Sequence, residues 1–474
     1  MSIFNKNDPI IVVGAGVMGL STVYSLLQQG YTNIDLFDKN DYLKQEYSFF
    51  KGCDSPSSDL NKIFRTAYGG ETHYQEMANV AQRQFLKWNE QIFAENWEGG
   101  VPIYYNTGFL NITDKNELPA FEKQSLKNLG QNSIDISQKD AYRQAASRGL
   151  FSTAIDPFNV QKNGKLVNGV LDTTGGMVLA EKACRWVLEL CMRLNTENQL
   201  KLHFGTEEGL LYKLLIEWNP NNQSKKCVGI ITKGGFKHFS PLVIVACGPW
   251  IPQIVPEANE KMEATAGTVV LVKIDDKVAA EKYAMSKFPT WSFNAREGAF
   301  GNVYGFPITN GYMKLGFRGM KFINPKGQVN SVVKTKWSEE NDPNVPLFGL
   351  NIIKNFIREY IPEITKITMT RMCWYGDSED NNYVISYCPY YTDNSLFVMG
   401  GDSGHAFKML GILGDYVLDV LKNKGNTKLA HLWSWERERQ KLNQINLGEN
   451  DPRALCHNKM STFKDWTINP LSKL

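Results

Sequence analysis

Near the start of the chain, Gly14-Ala15-Gly16-Val17-Met18-Gly19 has the spacing of a turn that closes around a pyrophosphate. A short β-rich run, Ile10 to Val13, precedes it, and a helical stretch to about Gln29 follows, before Ile34-Asp35-Leu36-Phe37-Asp38. In such a βαβ unit Gly14 allows the tight turn, Gly16 lets backbone approach the pyrophosphate, and Gly19 lets the helix pack closely on the strand. Val17 and Met18 complete the binding turn, and Asp38, at the end of the second strand, has a carboxylate that can accept from ribose hydroxyls. A dinucleotide is the expected ligand, and the turn itself does not choose between NAD and FAD.

A second candidate is Gly400-Gly401-Asp402-Ser403-Gly404-His405-Ala406-Phe407-Lys408, read as the opening of the last helix. First-turn amides and the positive dipole end of a helix hold negative charge. A flavin gaining electrons accumulates such charge on its pyrimidine edge. A plain Asp or Ser cap with a glycine turn is the alternative.

The elements that must position these groups alternate in type. From Tyr74 to about Asn96 the positions Met77, Val80, Ala81, Phe85, Trp88 and Ile92 recur every three or four residues, a one-sided helix. Residues 101 to 170 are mixed, a helix is expected from Gly176 to about Leu194, and strand-like runs dominate 199 to 247. Short strands fill 267 to 373, with one helix near 348 to 360; strands at 383–386 and 395–399 then lead to a helix carrying Phe407, Leu410, Leu413, Val417 and Leu421.

The composition narrows the classes. With 474 residues and roughly 150 per domain, two or three domains are expected, and 42% hydrophobic with 21% charged residues is the balance of a globular protein. Lys and Arg total 52 against 49 Asp and Glu, and the basic residues form no block that would track a nucleic acid. Eight cysteines without a Cys-x-x-Cys pair, and only six histidines, leave no metal-ligand spacing, so no metal site is expected and the thiols read as reduced. No apolar run is long enough to span a bilayer. Ser472-Lys473-Leu474 matches the peroxisomal address, which makes a peroxisomal import receptor an expected partner.

The fingerprint, SSDLNKIFR (57–65), LVIVACGPW (242–250), YGFPITNGYMKLGF (304–317), RMCWYGDSED (371–380) and GGDSGHAFKML (400–410), in this order, resemble the monomeric sarcosine oxidase family of FAD amine oxidases. Within it the chain is most similar to fungal fructosyl amino acid oxidases (amadoriases) and to saccharopine and pipecolate oxidases, from about residue 8 to 422. The resemblance implies a mixed α/β and α+β fold of D-amino acid oxidase-like architecture. In it, a Rossmann-like FAD-binding domain (1–75, 170–258 and 372–435) joins a mostly antiparallel β-sheet substrate domain (76–169 and 259–371), with a C-terminal tail over 436–474. A small amino-acid substrate, oxygen and a monomeric chain are the implied working parts, with no nucleic acid.

Carried over position by position, Cys373 is implied to bond through sulfur to a ring methyl of FAD, and Lys314 to lie over the flavin where oxygen reacts. A fixed ammonium there stabilises the superoxide formed by the first electron transfer. Lys62 is implied to lie against the flavin ring, and Gly248, Trp250, Asp402, Gly404, Phe407 and Lys408 to contact the cofactor. Arg65 and Lys408 are implied to grip the substrate's α-carboxylate, with Tyr375 as an aromatic wall. The reaction implied removes a hydride equivalent from the carbon beside a secondary amine, giving an imine that water hydrolyses and hydrogen peroxide from oxygen. A dehydrogenase using NAD would explain the fingerprint but not Cys373 or Lys314.

Arg318 departs from the pattern, because fructosyl amino acid oxidases tend to carry a glutamate there and sarcosine oxidases a histidine. Arginine cannot accept from a sugar hydroxyl but can bind a second carboxylate bidentately, which favours an amine such as saccharopine. The DLNKI and GDSGHAFK segments, with Asp402, look more like the fructosyl branch. On balance the motifs favour a fructosyl amino acid, with saccharopine, pipecolate or sarcosine as the alternative.

Overall fold

A computed structural model describes residues 5–164, 167–221, 223–294, 302–326, 331–335, 344–422 and 427–469. The tripeptide Ser472-Lys473-Leu474 lies outside them. The first layer is a six-stranded sheet in the order Val384–Tyr387, Leu396–Gly400, Leu242–Val245, Ile10–Val13, Ile34–Asp38 and Leu200–Phe204, parallel except for its first strand. Ile10–Val13 and Leu242–Val245 are buried at every residue, as unbroken apolar runs must be when both faces of a parallel sheet are covered. Helices Val17–Gln28, Ala180–Leu194 and Leu413–Leu421 cover one face. A three-stranded antiparallel sheet, Leu211–Asn219, Ser224–Thr232 and Lys237–Phe239, covers the other, where Cys227 and Ile230 meet Ile11, Val13 and Val243.

The second layer is an eight-stranded sheet in the order Met369–Ser378, Met262–Lys273, Tyr312–Phe322, Val303–Gly305, Thr290–Asn294, Phe109–Thr113, Asn168–Asp172 and Ser133–Asp135. All its pairs are antiparallel except Thr290–Asn294 with Phe109–Thr113. Helix Leu347–Tyr360 packs on its long central strands through Leu350, Ile353 and Ile357. Among the described residues no helix is long and apolar enough to cross a membrane. The eight cysteines are free.

Several expected elements differ in detail. The helix over Thr72–Ala94 buries Met77, Ala81, Phe85, Trp88 and Ile92, but Val80 is exposed, because the buried stripe is narrower than the run of apolar residues. Gly176–Val178 is a strand rather than the start of a helix, paired with Lys62–Phe64 and Tyr104–Tyr105, and the helix begins at Ala180. The run after Gly400 does not open a helix: Gly401, Ser403 and Gly404 have positive φ, a 3-10 turn spans Phe407–Met409, and the α-helix starts only at Leu413. Any charge held there is held by individual groups, not by a helix dipole. Positions 170 and 372, given as domain limits by the resemblance, fall inside strands of the eight-stranded sheet. The polar tail is also part of the fold, with Trp466 and Ile468 buried in the second core. These two apolar residues lack any period that would announce an element.

Candidate functional site

Two cavities adjoin where the layers meet. The smaller, about 460 Å³, is lined by Gly14, Gly16, Val17, Met18, Asp38, Gly248 and Trp250. Gly14 has φ +103°, and a Cβ there would stand 2.5 Å from the Ala246 carbonyl oxygen, so only glycine makes this turn. Gly19 lies behind the wall and serves helix packing: a Cβ on it would stand 1.8 Å from the Gly14 oxygen. Asp38 reaches the cavity, but its carboxylate is already engaged, accepting from the Ala15 amide at 2.9 Å and the Asn40 amide at 2.9 Å. Lys39 places its ammonium 4.3 Å from the Trp250 ring centre.

The larger cavity, about 720 Å³, shares Val17, Pro56 and Asp402 with the smaller one, so the two form a continuous space. The alternation of two strands builds its wall. Along Tyr312–Phe322, Met313, Leu315 and Phe317 enter the apolar core while Lys314 and Arg318 face the cavity. Along Met369–Ser378, Met372 and Trp374 enter the same core while Cys373 and Tyr375 face the cavity. Lys62, on its short strand rather than a helical turn, approaches from the opposite side, with Nζ 3.9 Å from Cys373 Sγ.

One carboxylate joins this group. Asp59 Oδ2 accepts from Lys314 Nζ at 2.6 Å and from Lys62 Nζ at 2.7 Å, and Arg371 lies 3.8 Å from its other oxygen. Burial opposes ionisation of Asp59, but the Lys314, Lys62 and Arg371 charges outweigh it and hold the carboxyl well below its usual range. For Lys314 burial wins: its ammonium is pulled down to about 8 despite Asp59, with Lys62 adding to the fall. Lys62 is raised, because Asp59 and Cys373 outweigh its burial. Arg371 is tied to Asp54 at 2.8 Å and to the Ser58 carbonyl at 3.0 Å. Asp59 and Arg371 were not among the site residues read from the sequence; the Asp59-Lys62 spacing was visible, its contact with Lys314 was not.

The opposite wall is different in charge balance. Lys408 is buried, and its Nζ donates to Tyr68 Oη at 2.9 Å. Arg65 lies over the Tyr68 ring at 4.7 Å, and Arg318 over Tyr375 at 5.1 Å. Among the described residues no carboxylate forms an ion pair with Arg65, Arg318 or Lys408. The nearby Asp172 is saturated by Thr66 and Thr174, whose amides donate at 2.7 and 3.0 Å. Burial, followed by Arg65, pulls the Lys408 ammonium well below its ordinary value. His405 is neutral, lowered to about 3 by burial and then by Lys408; its Nε2 donates to the Asn381 carbonyl at 2.9 Å, the tautomer being set by that acceptor. Gly404 leaves room for the wall, since a Cβ would meet Tyr375 at 2.9 Å and the Arg318 guanidinium at 3.0 Å. Asp402 accepts from the Gly376 amide at 2.8 Å, and burial raises its carboxyl to about 6. Phe407 completes the lining.

A family model described as FAD dependent oxidoreductase matches residues 9–420. The chain belongs to this family. This FAD-dependent oxidoreductase is 23% identical over 454 residues to the L-saccharopine oxidase of Schizosaccharomyces pombe, covering 92% of this chain and 94% of that one. It is 24% identical over 430 residues to the monomeric sarcosine oxidase of an Arthrobacter species, covering 89% and 94%. In fold it resembles a modified fructosyl peptide oxidase from Aspergillus nidulans, with a TM-score of 0.75 at 22% identity over 96% of this chain and 99% of that one. The NAD-dependent alternative is set aside, and the architecture is a Rossmann-type FAD unit with a second, mostly antiparallel sheet.

Proposed function

We propose that this FAD-dependent oxidoreductase oxidises the C–N bond of an N-substituted amino acid that carries more than one carboxylate, a saccharopine-like secondary amine. The observation that carries this is the trio Arg65, Lys408 and Arg318 around one cavity without a carboxylate of their own among the described residues. Lys408 is buried and Arg65 and Arg318 are half-buried; a cation taken out of water without a counter-charge is costly, and an anionic ligand removes that cost. Arg65 and Lys408 converge from distant segments on one carboxylate, which orients the α-carbon as well as binding it. Arg318 takes the second.

The residues fit the cofactor. Gly14, Gly16 and Met18 would hold its pyrophosphate, Asp38 and Trp250 its adenosine end, and Lys62, Cys373, Gly404 and Phe407 the ring system. When bound, FAD supplies the two-electron redox step and passes the electrons to oxygen. The protein holds the amine's carboxylates and excludes water behind Tyr375 and Phe407. Lys314 sets a positive charge where oxygen becomes an anion. The imine leaves to be hydrolysed, with hydrogen peroxide as the other product.

Cys373 is proposed as a thioether tether to a ring methyl; forming it releases two electrons and two protons, for which oxygen is the acceptor. Cys373→Ser is therefore expected to release its yellow colour to the supernatant on acid precipitation, whereas the parent protein keeps it in the pellet. Parent protein that loses its colour in the same way would end this assignment.

A fructosyl amino acid remains the second reading, because Asn111, Ser292, Asn294 and Asn302 make part of the wall neutral and polar, as sugar hydroxyls require. Ser292 Oγ donates to Asn111 Oδ1 at 2.6 Å, and Asn294 donates to the same oxygen at 2.9 Å. A peroxide-coupled assay of saccharopine, fructosyl lysine, pipecolate and sarcosine separates the readings, and saccharopine is expected to be turned over fastest. Arg318→Glu is expected to shift kcat/KM toward fructosyl lysine relative to saccharopine by at least tenfold, about 1.4 kcal/mol. Unchanged relative rates would discard the role given to Arg318.

A further inference from the structure

We infer that Asp35, His203 and His238 form a binding site for a divalent first-row transition ion on the face of the six-stranded sheet remote from its helices. Their ligand atoms, one carboxylate oxygen and two imidazole nitrogens, all lie within 4.8 Å of one another. Asp35 and His203 stand on adjacent parallel strands, with Asp35 Oδ1 2.7 Å from His203 Nε2. His238 comes from the last strand of the three-stranded sheet that covers this face.

The rings are held in place before any ion arrives. His203 stacks on Phe37 with centroids 4.3 Å apart and planes 7° from parallel. His238 meets the same phenylalanine edge-on at 4.8 Å, and the two imidazoles cross at 4.8 Å and 64°. Phe37 therefore fixes both donors, so little side-chain freedom remains to be lost on binding. All three ligands are half-buried, which leaves open coordination positions for water.

Two imidazoles and one carboxylate suit zinc, cobalt, nickel or copper and do not suit magnesium, which takes oxygen donors. Lys201 pairs across the strands with Asp35, and its charge opposes the ion. The three positions are far apart in sequence, so no spacing rule detects them. An ion here would cross-link the two sheets immediately behind the strand that ends at Asp38.

The test uses the flavin-loaded protein, stripped with chelator and titrated with Co²⁺ followed by visible absorption, and with Zn²⁺ by calorimetry. One equivalent is expected to bind, with the d–d absorption of a nitrogen and oxygen site. His238→Gln and Asp35→Asn are each expected to weaken binding by about tenfold or more, and excess Mg²⁺ is not expected to compete. Cys456→Ser removes the exposed free thiol and is expected to change nothing. The inference is overturned if the parent chain binds no more tightly than His238→Gln, or if Cys456→Ser abolishes binding. Zn²⁺ should also raise the melting temperature of the parent protein and not that of Asp35→Asn, as binding to the folded state alone requires.

Discussion

Lys314→Met is expected to slow the reaction of the reduced enzyme with oxygen by roughly 10²–10³-fold, the usual effect of deleting one preorganised charge at a developing anion. Reduction by the amine substrate should change far less. The substitution leaves Asp59 with Lys62 at 2.7 Å and Arg371 at 3.8 Å, so the buried carboxylate stays compensated and the fold persists. Burial lowers the Lys314 ammonium to about 8, and the charged form is the useful one. The oxygen step should therefore be fast below pH 8 and fall as pH rises through that value. Lys314→Met should lose this inflection. Stopped-flow reoxidation across pH 6 to 10 measures both effects. An unchanged rate constant, or an inflection that survives in the variant, would remove Lys314 from the oxygen step.

Lys408→Met should lower kcat/KM for the amino-acid substrate by on the order of 10²–10³-fold, about 2.7–4 kcal/mol, within the range for breaking a buried charge pair. Lys408 is buried and forms no ion pair with a carboxylate among the described residues, so on the proposed reading the substrate's acid group is its expected counter-ion. Its ammonium is pulled well below the ordinary value by burial and then by Arg65. An arriving carboxylate restores that value, so binding takes up a proton and weakens as pH rises. Calorimetry of a carboxylate inhibitor in two buffers of different ionisation heat reads the uptake directly. Lys408→Arg, which stays charged, should keep affinity and lose the uptake. Equal heats in both buffers for the parent enzyme would show that Lys408 is already charged when the ligand arrives.

Much of the first layer is legible in the sequence because its signals are local. The apolar runs at 10–13 and 242–245, the three glycines and the acid ending the second strand each act within a few residues. The wall of the larger cavity is legible in part: Lys314 and Arg318 are four apart on one strand, and alternation alone puts them on one face. Two things were not legible. Asp59 owes its role to Lys314, some 255 positions away in the chain, and a contact of that separation leaves no periodic trace. The Gly400–Lys408 segment has the composition of a helix cap, yet three positive φ values postpone the helix to Leu413. Backbone conformation set by packing around Tyr375 overrides the local propensity there.

Arg371 has a consequence for how molecules come and go. Its guanidinium sits on a strand of the eight-stranded sheet but is clasped by Asp54 and the Ser55 and Ser58 carbonyls, which belong to the loop above the glycine turn. Swinging the two layers apart like a clamshell would strand a dehydrated charge, a loss of about 3–5 kcal/mol. The enzyme is accordingly riveted shut along that seam. Gly70 and Phe121, both exposed, line the larger cavity away from that seam, so a mouth on their side is where ligands are expected to pass.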